Sequence, residues 1–162
     1  MFNAFIKFGD IQGDSTDADH TGWVQITAFR FNASQPPSAL HKVGHRTAEA
    51  VELSEFEIDK LHDSSTPKLF ESVCTGKTIP EVDIELVKAG GDPVKYTVIK
   101  MKDVLVSGVI HAGDPSGQHQ FPMETVKMTF SEIEWTFTKQ GKDAKGSGNK
   151  AAKYNVLTGK AA

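Results

Sequence analysis

One cysteine, Cys74, stands among 162 residues, which excludes an intramolecular disulfide and suits a reducing compartment. No apolar run approaches the roughly 20 residues of a membrane-spanning helix, so membrane insertion is not expected. Met1 to Lys7 lacks a basic stretch leading into a long apolar one, and export by a general signal-peptide route is not expected either. An excess of positive charge is also missing. The formal net charge is −3, a balance that argues against a nucleic-acid partner. There is no internal repeat and no sign of a second domain.

What is present describes one β-rich unit. A chain of this length buries about two-thirds of its unfolded surface and needs no metal or disulfide to fold. Ten Phe supply large side chains for a core. Phe2 to Phe8 alternates, and strand signals continue at Trp23 to Phe31, Val51 to Ile58, Val82 to Val87, Tyr96 to Ile110 and Val126 to Phe137. Gly90-Gly91-Asp92-Pro93 between two strands predicts a hairpin, and Gly113-Asp114-Pro115-Ser116-Gly117 a turn. Thr66-Pro67 predicts a cap and first helical residue, Leu69, Phe70 and Val73 one helical face, and Gly76 a left-handed stop. This places one short helix at 67–75.

Three strands switch parity. Val126, Met128 and Phe130 are even, whereas Ile133, Trp135 and Phe137 are odd. The same shift separates Val24 and Ile26 from Phe29 and Phe31, and Ile99 and Met101 from Val104 and Val106. Strand side chains alternate with period two, so each switch needs a bulge or a change of facing. Three bent strands predict a barrel whose strands pass between two sheets. Residues 34–50 form a long connector without periodicity, a kind of loop that is usually functional or disordered. Charge is uneven: residues 139–162 carry a net +5 and the remainder a net −8. The lysine-rich end reads as a solvated tail or as a contact with an acidic surface of another copy. We therefore divide the chain into a barrel at 1–140 and a tail at 141–162, partly packed or flexible.

No catalytic, cofactor or metal site emerges. Gly76-Lys77-Thr78 lacks the earlier glycine of a phosphate loop, since Glu71 stands there, and reads as a helix end. His41 and His45 have a spacing that could bind metal on a helix, but lie in the loop with no further ligands. His20, His62, His111 and His119 are scattered beside turns, and Cys74 beside Val73 reads as buried packing. Trp23, Phe29, Phe31 and Trp135 read as core, because the basic groove of a base-stacking platform is missing. Asp63-Ser64-Ser65-Thr66-Pro67 reads as helix capping. The residues alone describe a mostly-β domain without an enzyme's constellation.

Several short stretches nonetheless share a pattern. They are Phe5-Ile6-Lys7 with Gly9-Asp10 and Gly13-Asp14-Ser15; Gly22-Trp23-Val24 with Phe29-Arg30-Phe31 and Ser34-Gln35-Pro36; Asp63-Ser64-Ser65-Thr66-Pro67-Lys68-Leu69; Lys88-Ala89-Gly90-Gly91 with Tyr96; and Phe130 with Ile133-Glu134-Trp135. In this order and spacing the chain resembles the Hcp (haemolysin-coregulated protein) family over nearly all its length. It departs in having Phe rather than Trp around Arg30 and a loop poorer in glycine.

The resemblance implies a two-sheet β-barrel with a flanking helix that forms homohexameric rings. Rings would stack into a tube inside a contractile sheath, capped by a VgrG-type spike. The tube would be cytoplasmic, then expelled through a type VI secretion system, with effector proteins carried in its lumen. No catalytic residue or cofactor is implied. The alternative is a tail-tube-like barrel of another contractile injection system; a hydrolase or lectin on a β-barrel is the reading from another class. Under the first reading Arg30, outward between Phe29 and Phe31, is either simply solvated or faces the lumen. Pro36, Pro37, Leu40, His41, Val43, His45 and Arg46 belong to a loop expected to contact a neighbouring copy.

Overall fold

The computed structural model describes residues 2–36, 51–88, 95–117, 119–140 and 146–161. Its elements in chain order are β1 (Phe2–Phe8), β2 (Val24–Ile26), β3 (Ala28–Arg30), β4 (Ala33–Ser34), β5 (Glu52–Leu53), β6 (Phe56–Leu61), α1 (Thr66–Thr75), β7 (Thr78–Lys88), β8 (Lys95–Ala112), β9 (Met123–Thr129), β10 (Glu132–Gln140), β11 (Gly146–Asn155) and β12 (Lys160–Ala161). Among the described residues, ten strands make one antiparallel sheet. Pairing runs β12-β11-β10-β8-β7-β1-β2, and a second arm leaves β8 through β9 and β6 to β3.

The three parity switches are the corners that let this sheet fold over on itself. At Thr27 the chain leaves β1 and joins β6; Thr27 donates both its N–H and its hydroxyl to the Asp59 carbonyl, at 2.8 and 3.0 Å. At Asp103, which has a positive φ of 50°, β8 passes from one layer to the other. Its first half pairs with β7 and β10, and its end pairs with β9. At Ser131 the chain turns from β9 into β10, tied by its N–H to the Lys102 carbonyl and by Oγ to Asp103 Oδ2. Among the described residues the sheet wraps one core without closing as an uninterrupted barrel, because β2 and β3 abut at Thr27 rather than pair.

The two layers meet through their inward parity. Ile6 and Phe8 of β1, Ile84 of β7 and Ile99 of β8 face Phe56 and Ile58 of β6 and Val126 and Met128 of β9 in one buried cluster. Leu69, fully buried, brings α1 against it, a burial that stabilises by roughly 1.5–3 kcal/mol. Phe29 and Phe31 stack on Phe56 at 6.0 and 5.5 Å, and Phe31 lies beside Phe130 and Trp135, so these aromatics pack at the bend.

The helix differs in detail from the expectation. Ser65 is the cap and Thr66 is already helical; Asp63 accepts from the Ser65 N–H instead. Leu69 and Ser72 face inward, whereas Phe70 is 55 % exposed and Cys74 is exposed. Phe70 and Cys74 are four residues apart and share the outward side, which is why neither packs as expected. Gly76 does end the helix, at φ 64°. The predicted hairpin turn lies outside the described residues, although β7 and β8 pair antiparallel up to Val87 and Lys95.

Candidate functional surfaces

Alternation gives each strand of the second layer an outward row as well as an inward one. Arg30 on β3 stands opposite Glu57 on β6, and Glu57 opposite Lys127 on β9. The Arg30 guanidinium grips both carboxylate oxygens of Asp59, at 2.8 and 3.1 Å, and its Nε reaches Glu57 at 3.2 Å. Lys127 Nζ lies 3.2 Å from the other Glu57 oxygen, and the Thr125 hydroxyl donates to Asp59 at 2.7 Å. The guanidinium holds the Asp59 carboxyl below its ordinary range, and Lys127 and Arg30 do the same for Glu57. Arg30 therefore points outward, within a group of two cations and two anions.

The other layer carries a second outward pattern. Lys7, Asp83, Lys100, Glu134 and Lys153 stand opposite one another across β1, β7, β8, β10 and β11, alternating in sign. The next row sets Glu81, Lys102 and Glu132 side by side. Lys153 and Lys102 reach Glu132 at 2.9 and 3.3 Å, and Lys153 in particular holds that carboxyl low. Asp83 differs. Burial pushes its carboxyl up, Lys100 stays 3.9 Å away, and Oδ1 has no hydrogen-bond partner among the described residues.

Charge also points inward. Lys60 follows Phe56 and Ile58 in the inward parity of β6 and is fully buried. Its Nζ contacts Glu124 Oε1 directly, with Asp63 Oδ1 at 2.9 Å, the Leu61 carbonyl at 2.9 Å and the Thr66 hydroxyl at 3.2 Å. Thr66 in turn donates to Glu124 at 2.9 Å. Thr66 thus ties α1 to the sheet rather than capping it. His111 is opposite Glu124 in the β8–β9 ladder, with Nδ1 3.3 Å from Glu124 Oε2 and 3.1 Å from Nε2 of His62. Two histidines that look scattered in sequence meet here.

His20 is equally unscattered. It is buried, stacked on Phe5 at 4.2 Å and edge-on to Trp23. Its Nδ1 faces Asp17 at 2.7 Å and its Nε2 faces Glu85 at 2.8 Å, which locks the 9–23 segment onto the outward face of β1. Gly13 permits that docking: a Cβ there would meet the Trp23 carbonyl oxygen and a Val24 methyl at 2.6 Å.

The long connector is rooted in a separate two-stranded ladder. Ala33 pairs with Leu53 and Ser34 with Glu52, so both ends of the loop are held together. Pro36 sits half-buried just beyond it. Pro37, Leu40, His41, Val43, His45 and Arg46 lie outside the described residues. The lysine-rich segment supplies β11, which pairs with β10 from Glu132↔Asn155 onward, and β12 at the outer edge. Exposed apolar side chains are spread over several elements: Phe2, Phe70, Ile110, Phe121, Phe137 and Leu157.

Comparison with known proteins assigns this arrangement. Residues 5–137 match the family model "Type VI secretion system effector, Hcp". The chain is 33 % identical over 154 residues to Protein hcp1 of Pseudomonas aeruginosa, covering 94 % of this chain and 93 % of that protein. The crystal structure of Hcp1 from Salmonella typhimurium superposes with a TM-score of 0.80 at 26 % identity, covering 99 % of each chain. A further structure, described as that of a type six secretion system protein, superposes with a TM-score of 0.93 over 100 % of both chains; at 23 % identity it speaks to the fold.

Proposed function

The chain belongs to the Hcp family of type VI secretion proteins, and on that premise we propose that it is a structural tube component. Copies close into a homohexameric ring through heterologous contacts, in which one face meets a different face of the next copy. Rings stack inside a contractile sheath under a VgrG-type spike. The tube assembles in the cytoplasm, is expelled, and carries effector proteins in its lumen. It performs no catalysis.

The observation that carries this reading is that the family likeness extends along nearly the whole chain. The spread of exposed apolar side chains supports it, since a subunit in a stacked ring is covered on more than one side. In this arrangement Arg30 faces the lumen. The loop at 36–50 reaches a neighbouring copy from its β4–β5 stem, using Pro36, Pro37, Leu40, His41, Val43, His45 and Arg46. We take residues 1–140 as the unit that makes the core and 141–162 as a segment added at its edge.

Light scattering and negative-stain imaging of the purified chain test the assembly. A ring of six copies at micromolar concentration and near-physiological salt is the expected result, and a sharp monomer peak would overturn it. Deleting residues 40–48 should leave a folded chain, by circular dichroism, with impaired rings or stacks. Assembly indistinguishable from the parent would remove the loop from the interface.

A further inference from the structure

His62, His111 and Glu124 turn three ligand atoms toward one point, all within 4.8 Å of one another, and we propose that this trio binds one divalent transition-metal ion, Zn2+ by preference. The inference does not depend on tube building.

The spacing suits the ion. His62 Nε2 and His111 Nδ1 are 3.1 Å apart, and His111 Nδ1 and Glu124 Oε2 3.3 Å. A tetrahedral zinc with nitrogen and oxygen ligands at about 2.0–2.1 Å separates neighbouring ligand atoms by about 3.3 Å. Two edges of the polyhedron are therefore already set.

The protons do not suffice. Between His62 Nε2 and His111 Nδ1 one proton serves both atoms. Glu124 is 1 % exposed, and its Oε2 has no hydrogen-bond partner among the described residues, since His111 is close but not aligned to donate. The other oxygen, Oε1, takes Lys60 and Thr66. Glu124 thus spends one oxygen on the core and turns the other, unpaired, toward two imidazoles. A cation satisfies all three lone pairs at once.

The supporting shell has the form of a metal site. Glu124 is opposite Lys60 in one ladder and His111 in the next, so three adjacent strands hold the donors. His62 follows β6 directly, with its N–H donated to the Pro122 carbonyl at 2.9 Å. Thr66 and Lys60 orient the ligating carboxylate from behind, as outer-shell partners do. Lys60 does not repel the ion unopposed: with Asp63 and Glu124 the buried group is net negative by one charge when the imidazoles are neutral. Two imidazoles and one carboxylate suit zinc and its neighbours better than calcium or magnesium, which take oxygen ligands. The His111 side chain is 35 % exposed, which leaves an entry path and room for water as the fourth ligand.

The test uses the full chain, free of any affinity tag and stripped with chelator, titrated with zinc chloride alone by calorimetry. One ion per chain is expected, with a higher melting temperature, and Co2+ in its place should give the intense visible absorption of a four-coordinate site. His111→Ala keeps the buried Lys60–Glu124 pair and should remain folded. It should weaken zinc binding beyond the roughly 10–100-fold cost of losing an outer-shell partner. His41→Ala with His45→Ala should bind as the parent does. The proposal is overturned if the parent takes up no zinc at micromolar free ion, if His111→Ala and His62→Ala bind as tightly as the parent, or if the loop variant alone loses the site. Glu124→Gln is the weaker probe, because it strips Lys60 of a buried partner.

Discussion

Asp59 and Lys60 are neighbours on β6, and the two faces of that strand treat the same chemistry differently. Asp59 faces outward and holds the half-exposed Arg30; Lys60 faces inward and holds the buried Glu124. In each case a carboxylate accepts from a cation and from a threonine hydroxyl, Thr125 for Asp59 and Thr66 for Glu124. What differs is the solvent. Water and salt screen the outward pair, and such pairs contribute little to stability. The inward pair has no water to fall back on, so its formation is a poor source of stability while its disruption is severe.

Removing one member of the inward pair gives the largest expected effect. Lys60→Met leaves Glu124 and Asp63 facing one another without their cation. It should cost about 3–5 kcal/mol in chemical denaturation, enough to unfold many domains of ordinary stability. Lys60→Met combined with Glu124→Leu should recover much of that loss, because the fully buried charge is then gone and the remaining one, Asp63, still accepts from the Ser65 N–H and hydroxyl. A single variant within about 1 kcal/mol of the parent would show that water reaches Lys60, and the contrast between the two faces would collapse.

The same parity that separates Asp59 from Lys60 decides what could be read in the sequence. The switches after Ile26, Met101 and Phe130 were legible because period two makes a corner visible as a change from even to odd; they map to Thr27, Asp103 and Ser131. Lys60 was legible in principle, sharing parity with Phe56 and Ile58, as Glu124 does with Val126 and Met128. A charged residue on the inward parity of two strands was the signal for a buried pair. Other features had no such signal. β11 reads Gly-Ser-Gly-Asn-Lys-Ala-Ala-Lys-Tyr-Asn, with no apolar alternation to mark it as a strand. His62 and His111 are 49 residues apart, and only the β6–β9–β8 register brings them together. Hydrophobic pattern does not tell which residues of one strand will sit opposite those of another.

Asp83 lies between the two extremes and should respond less than Lys60. It faces outward like Asp59, yet burial raises its carboxyl because Lys100 stops 3.9 Å short. A raised carboxyl binds its proton more readily folded than unfolded. The fold therefore benefits below the ordinary value of 3.8 and loses that benefit as pH rises through the raised value. Asp83→Asn removes the penalty. We expect a melting temperature higher by about 1–2 °C at neutral pH, the scale of a surface substitution, with the gain shrinking as pH falls through the raised value and gone below the ordinary 3.8. A loss of stability at neutral pH would show that Lys7 or Lys100 holds the carboxylate more firmly than their geometry allows.

Arg30 should give the smallest effect on the fold and the clearest on the surface. Its guanidinium lowers the Asp59 and Glu57 carboxyls, and that contribution is present above their ordinary range and lost as pH falls through the depressed values. Arg30→Gln should therefore be slightly less stable than the parent at neutral pH and indistinguishable from it in acid, with the difference fading as salt rises. The proposed ring should survive, because Phe29 and Phe31 still hold β3 against Phe56. The electrostatic change is more distinctive. In the parent, Arg30 and Lys127 balance Glu57 and Asp59, so Arg30 adds no positive field of its own. Removing it unmasks a carboxylate rather than deleting a positive patch. If this face lines the lumen, the variant ring should retain basic cargo more strongly and acidic cargo more weakly, measured by co-purification with the ring at low salt. Unchanged retention of both, or a ring structure with Arg30 buried between copies, would take Arg30 out of the lumen.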